Sequence, residues 1–224
     1  MRILWVGAHP DDELFIAPWL GAMRKQHDAR IDFVVATHGE RGDCLRPEGC
    51  EPDMATVRDS EMRAAAAIFG GEVAYGGCRD LSAKTAKGVL AEWSRDAGGD
   101  EALRKRFHEL IARFTPDHLL TFDPSHESDH HSDHRAIALL VDSLGLTVPI
   151  TYAESELTWR APLQVTPAVP DAVAFDAGPW WDYLVRDISC HRSQFDARSV
   201  EMFTSAAEEQ RRVWMRSKAN VASA

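Results

Sequence analysis

His9-Pro10-Asp11-Asp12-Glu13 sets an imidazole and three carboxylates directly after the apolar run Ile3-Leu4-Trp5-Val6-Gly7-Ala8. A buried strand thus carries its polar load to one edge of a sheet, where a turn hands the chain to a helix. Metal and hydrolytic sites of open α/β sheets are built at such carboxyl ends. His9 and Asp12 offer one nitrogen and one oxygen donor within a turn, and two donors do not complete a site. The missing donor must come from another strand end. His118-Leu119-Leu120-Thr121-Phe122 is a strand that runs into a comparable cluster, through Asp123-Pro124 to the histidine-rich stretch ending in His130-His131-Ser132-Asp133-His134. One histidine of that stretch would complete a two-histidine, one-carboxylate set with a coordination position open for water. Zinc in such a set lowers the pKa of water toward neutrality and polarises a carbonyl oxygen. Asp11, not needed as a ligand, is the candidate to take the water's proton. A second histidine could steady the developing oxyanion or protonate a leaving amine. The spacing of His131 and His134 lets one bind metal while the other faces substrate, without deciding which.

The elements that must position these residues alternate along the chain. Leu14, Phe15, Trp19, Leu20 and Met23 have helical spacing and predict a helix from Asp12 to about Gln26, kinked at Pro18. Ile31 to Thr37 reads as a second buried strand, ending in His38-Gly39-Glu40-Arg41-Gly42. Helices are expected over Ala55–Phe69, stopped by Gly70-Gly71, over Glu101–Phe114 and over Ser132–Leu144. Glu72–Tyr75 and Pro149–Ala153 read as strands. Residues 78–100 are weakly patterned, with a helical turn around Leu90 and Trp93. Ala172–Phe175 alternates as a peripheral strand or hairpin, and helices over Trp180–Ser193 and Ser199–Arg216 complete the expected set. The alternation predicts an α/β fold, a Rossmann-like, mostly parallel, doubly wound sheet with right-handed crossovers. A single domain over 1–224 is expected, with 219–224 as a frayed tail.

The balance of 25 basic against 35 acidic residues gives a net charge of -10, which repels phosphate backbones and anionic lipid surfaces. Nucleic acid and membrane partners are not expected. No apolar run approaches the ~20 residues that span a bilayer, and no secretory leader is expected after Met1, so the expected setting is cytoplasmic. For Cys44 and Cys50, in a Pro/Gly-rich loop, free thiols are favoured over a loop-closing disulfide. Trp180, Trp181 and Trp214 read as core or oligomer contacts, which leaves a homo-oligomer open.

Taken together, these motifs resemble the LmbE-like, or PIG-L-like, family of zinc-dependent N-deacetylases. Ala8-His9-Pro10-Asp11-Asp12-Glu13 has the family's opening form. Thr37-His38-Gly39-Glu40-Arg41-Gly42 is similar to its Thr-x-Gly-Glu-x-Gly turn, and Arg58 with Glu61 to its Arg-x-x-Glu. His131-Ser132-Asp133-His134 is similar to His-Pro-Asp-His, with Ser132 in place of proline, and His191-Arg192-Ser193-Gln194 to a late His-x-Ser-Gln. The resemblance implies His9, Asp12 and His134 as zinc ligands and Asp11 as general base. It implies His131 as electrostatic partner or general acid, oriented by Asp133, and Arg58 in the substrate pocket. His38, Arg41 and His191 are further pocket candidates. Glu13, His126 and His130 receive no chemical role. The implied reaction is hydrolysis of an N-acyl group, usually acetyl from an N-acetylglucosamine-type sugar or its conjugate, a small-molecule substrate. Two other readings remain: an amidase or deacylase acting on a thiol conjugate or secondary metabolite, and a non-catalytic metal-containing module that binds a sugar or nucleotide. Two nitrogens and an oxygen also suit Fe2+ or another divalent ion.

Overall fold

Helices on both faces of a sheet bury both faces of its strands, and such strands read as continuous apolar runs. In the computed structural model, which describes residues 1–125, 131–158 and 163–218, β1 (Arg2–Gly7) and β2 (Arg30–Val35) are buried at every position after the first. They join β3 (Val73–Tyr75), β4 (His118–Phe122) and β5 (Ile150–Ala153) in a parallel array. That array is extended by the antiparallel β9 (Arg212–Ser217) and β8 (Val173–Asp176) into a sheet of order β3-β2-β1-β4-β5-β9-β8. A separate hairpin pairs β6 (Ser155–Thr158) with β7 (Gln164–Pro167). Helices α1 (Ala17–His27), α2 (Met54–Ile68) and α6 (Trp181–Ile188) pack together, and so do α3 (Ala86–Ala97), α4 (Asp100–Phe114) and α5 (Ser132–Ser143). The short α7 (Ala197–Thr204) packs on α6. This is the doubly wound α/β architecture expected from the alternation. The tail at 219–224, with His126 and His130, lies outside the described residues.

Several expectations are corrected. The helix expected from Asp12 is instead a single 3-10 turn, Asp12–Phe15, followed by α1 with Pro18 in its first turn. Proline there starts a helix rather than kinking one, because the first-turn N–H groups have no helical partner in any case. The weak segment 78–100 contains all of α3, whose Thr85 cap accepts from the Gly88 N–H and whose end is turned by Gly98 in a left-handed conformation. The last expected helix stops at Thr204. Its distal end, from Arg212, belongs to β9, which pairs with β5 on one side and β8 on the other, so tertiary pairing overrides local propensity. Likewise α6 ends at Ile188, and residues 190–195 form turns. Trp181 is in the core, its indole N–H donating to the Phe203 carbonyl at 2.8 Å.

Cys44 and Cys50 are paired, with Cα atoms 6.1 Å apart, not free as expected. The loop through Pro47 and Gly49 turns back tightly enough for ordinary disulfide geometry. Among the described residues no helix is long and apolar enough to cross a membrane.

Candidate metal centre and active site

β1 and β4 are neighbours in the sheet, in register Ile3↔His118 and Trp5↔Leu120. From β1 the chain winds outward through β2 to β3, and from β4 the other way to β5. The carboxyl ends of β1 and β4 therefore form the switch point where the connections diverge, and open α/β sheets bind ligands there. This places the His9–Glu13 turn beside the start of α5, which carries His131 to His134.

At that crevice His9 Nδ1, Asp12 Oδ1 and His134 Nε2 form a triangle of donors. Its edges are 2.9 Å (Asp12 to His134), 3.2 Å (His9 to His134) and 3.5 Å (His9 to Asp12). Bonds of about 2.0–2.1 Å to a tetrahedral zinc place two donors about 3.3 Å apart, so the triangle fits such an ion. Each donor is held in place. The other Asp12 oxygen accepts the Ala8 N–H at 2.6 Å and the His9 N–H at 2.8 Å. Burial would raise the Asp12 carboxyl, but His134 and His9 beside it hold it well below the usual carboxylate range. The His134 ring stacks on Phe122, centroids 4.3 Å apart. His9 Nε2, on the far side of its ring, lies 3.2 Å from Asp80 Oδ1 and 3.4 Å from Asp133 Oδ2. Carboxylates behind a ligand imidazole fix its orientation and raise its basicity.

Asp11 stands off the triangle. Its Oδ1 lies 2.8 Å from Arg58 Nη2, and its carboxyl is raised from its ordinary value by burial, against the opposing pull of Arg58 and His191. Arg58 arrives on α2, whose Asp53 cap accepts the Thr56 N–H at 2.8 Å, a contact typically contributing about 1 kcal/mol. Its guanidinium also donates to the Pro10 and Gly39 carbonyls. Gly39 is at φ +62°, and a side chain there would collide with that guanidinium, so the turn requires glycine. Arg58 lines the cleft, where its guanidinium contacts Asp11 and the Pro10 and Gly39 carbonyls.

His131 caps α5, with the Asp133 N–H donating to its Nδ1 at 3.3 Å. That bond assigns the proton of the neutral ring to Nε2. Burial first, then His9 and His134, push the ring down to about 4, so it is neutral. The neutral ring thus presents an Nε2–H, not an imidazolium, at the cleft. Asp133 orients it through its main chain; the Asp133 carboxylate instead takes the Leu81 N–H at 2.9 Å and backs His9.

The cleft over the triangle holds about 230 Å³, and its apolar walls are Phe15, Leu81 and Phe195, with Gln194 beside them. Three expected pocket residues are not among those that line it. His38 stacks on Tyr75 with centroids 3.9 Å apart. Arg41 braces the neighbouring wall, its backbone N–H donating to Asp80 Oδ2 and its guanidinium to the Leu81 carbonyl, both at 2.9 Å. His191 is sealed from solvent, with Nε2 2.7 Å from Glu13 Oε1. Asp80 is the ligand-supporting residue that the motifs missed. The available signal was its position a few residues past β3, a third strand ending at the same edge.

A doubly wound sheet with a two-histidine, one-carboxylate triangle at its switch point defines an α/β protein with a candidate metal centre. Residues 4–144 match the family described as PIG-L, GlcNAc-PI de-N-acetylase, and the chain belongs to that family. It is 27% identical over 162 residues to the 1D-myo-inositol 2-acetamido-2-deoxy-alpha-D-glucopyranoside deacetylase of Thermobifida fusca (strain YX); the match covers 63% of this chain and 56% of that protein. The chain thus spans little more than half the length of that relative. Among solved structures it resembles the 4-carboxy-2-hydroxymuconate hydratase GalB of Pseudomonas putida KT2440, with TM-score 0.68, 18% identity and coverage of 100% of this chain and 98% of that one. It also resembles the N,N'-diacetylchitobiose deacetylase of Pyrococcus horikoshii, with TM-score 0.68, 15% identity and coverage of 97% and 83%. At such identities these likenesses establish the shared fold.

Proposed function

We propose that this chain is a metal-dependent N-deacetylase that removes acetyl from an N-acetylglucosamine-type amino sugar or its conjugate, with zinc as the working ion. The observation that carries this reading is the geometry of the crevice: three donors spaced for one ion, with a buried carboxylate, Asp11, beside them and outside the triangle. The family description and the name of the Thermobifida relative support the reaction class and the sugar.

His9, Asp12 and His134 would hold the ion, which when bound supplies Lewis acidity toward the amide carbonyl and acidifies water. Asp11 accepts the proton of the attacking water, and the burial that raises its carboxyl makes it a better base. Arg58 fixes Asp11 against the Pro10 and Gly39 carbonyls, so the base cannot swing toward the metal donors. The His131 Nε2–H donates to the amide oxygen as negative charge grows on it. The proton held by Asp11 then passes to the leaving amine. Phe15, Leu81 and Phe195 give a small acyl group an apolar surround.

The test is an acetate-release screen over N-acetylated sugars and their conjugates, using protein stripped with chelator and reloaded with zinc, iron(II) or no metal. Acetate released only by metal-loaded protein, fastest with zinc, is expected. Turnover confined to other amides would move the reading to a broader amidase. Water addition to an unsaturated carboxylate, without acetate release, would replace it with a hydratase. Tight sugar binding without turnover would leave a binding module.

A further inference from the structure

Behind the active-site turn lies a second group of the same residue types. Glu13, Asp187 and His191 are fully buried. His191 Nε2 is 2.7 Å from Glu13 Oε1 and 3.9 Å from Asp187 Oδ1. The spacing is that of a hydrogen-bonded pair with a carboxyl behind it, not of three donors set evenly around an ion. Neither Asp187 oxygen has a hydrogen-bond partner, and buried polar atoms of this kind require an explanation. The other Glu13 oxygen supplies one. Oε2 accepts the backbone N–H of Asp11 at 3.2 Å, and Asp11 sits at φ 97°, ψ -11°, a left-handed conformation that a non-glycine residue adopts only when its surroundings enforce it. The His191 carbonyl also accepts the N–H groups of Gln194 and Phe195, both at 3.0 Å, and these two residues line the cleft.

We propose that Glu13 and His191 are positioning residues for the base: the buried pair, backed by Asp187, clamps the left-handed Asp11 peptide and thereby aims the Asp11 carboxylate into the cleft. The clamp rests on the reading of Asp11 as a general base. Glu13 must accept from two directions at once, and a carboxylate can do so where an amide cannot. The His191 ring holds the Glu13 carboxyl from behind, with Nε2 2.7 Å from Oε1, and Asp187 Oδ1 lies 3.9 Å from the same nitrogen. His191, three residues past the end of α6, thus couples the base to the cleft wall that faces it.

The test uses the 224-residue chain loaded with zinc and three measurements: kcat and KM for acetate release, zinc bound per chain, and hydrogen exchange of the Asp11 amide by NMR. His191→Leu is expected to lower kcat about 100-fold, the scale of a misplaced catalytic group, with zinc content and KM within about twofold. The Asp11 amide is expected to exchange at least about tenfold faster once its acceptor is released. His191→Gln, which keeps a donor to Glu13, should recover about tenfold of the lost kcat. Glu13→Gln preserves size, serves if the leucine variant does not fold, and should also lower kcat and loosen the Asp11 amide. Wild-type kcat and unchanged Asp11 exchange in a folded, zinc-loaded variant would overturn the clamp, as would a kcat that falls only in step with lost zinc. If the wild-type chain releases acetate from nothing, the deacetylase reading fails, while exchange at the Asp11 amide still decides whether the clamp exists.

Discussion

His9, Asp12 and His134 border a cleft, whereas Glu13, Asp187 and His191 are shut away from it, although both groups combine histidine with carboxylate and meet within one short turn. Backbone supply separates them. Asp12 receives two main-chain N–H groups on one oxygen, which fix it and leave the other oxygen facing His134 and His9, the neighbours that hold its carboxyl well below the usual range. Asp187 receives none. Burial, followed by the Glu13 charge, drives its carboxyl well above the ordinary value. On the proposed reading the open group takes a ligand, and the sealed group holds the turn that presents it. Composition alone does not distinguish a site from its support.

The largest effect expected from this contrast is in metal binding. His134→Ala should reduce bound zinc to near zero and turnover to background, while His191→Ala should retain its zinc, both read by elemental analysis of the purified chain. Equal loss in the two variants would erase the distinction between the groups. Next, Asp11→Asn should keep zinc yet lose about 10²–10⁴ in kcat, the range for a positioned general base; a variant with near-normal kcat would remove Asp11 from the chemistry. A smaller effect is expected one step outside the triangle. Asp80→Asn should weaken zinc binding about 10–100-fold in chelator competition, because it leaves His9 Nε2 with a poorer partner. Unchanged affinity would mean that Asp133 alone orients the ring.

The legible part of the site is the part whose residue types accumulate at strand ends. The His9–Glu13 turn and the 131–134 stretch follow strong apolar runs, and the structure brings both to one crevice. Asp80 follows the three-residue β3 in a segment with little pattern, so its role depends on which edge that strand occupies. His38 and His191 sit in motifs placed on the right turns, but the direction of a ring depends on packing partners far along the chain, Tyr75 for one and Glu13 for the other. β9 was hidden for a related reason: its residues suit a helix until β5 and β8 supply backbone partners on both sides. The Cys44–Cys50 bond depends on a turn closure that spacing alone left as one of two outcomes.

The subtlest way to separate the two groups is by the pH dependence of stability. Burial alone would lower His191, but the Glu13 charge and hydrogen bond, followed by the Asp187 charge, raise it to about 9. A histidine raised in the folded state binds its proton more tightly there than in the unfolded chain, whose value is near 6.5. Its contribution is therefore complete below about pH 6.5, shrinks between 6.5 and 9, and is gone above that. The shift corresponds to an upper limit on the order of 3 kcal/mol. His191→Gln has no such proton to bind, so its deficit in unfolding free energy relative to the wild-type chain should be largest at pH 6 and narrow toward pH 9.5. Urea unfolding at the two pH values measures this directly. A deficit that is the same at both would mean that Glu13 is held by geometry alone and that the sealed group carries no charge pair. A deficit that narrows would show that the turn presenting Asp11 rests on a buried ion pair, and that alkaline pH loosens the support of the site before it disturbs the donors themselves.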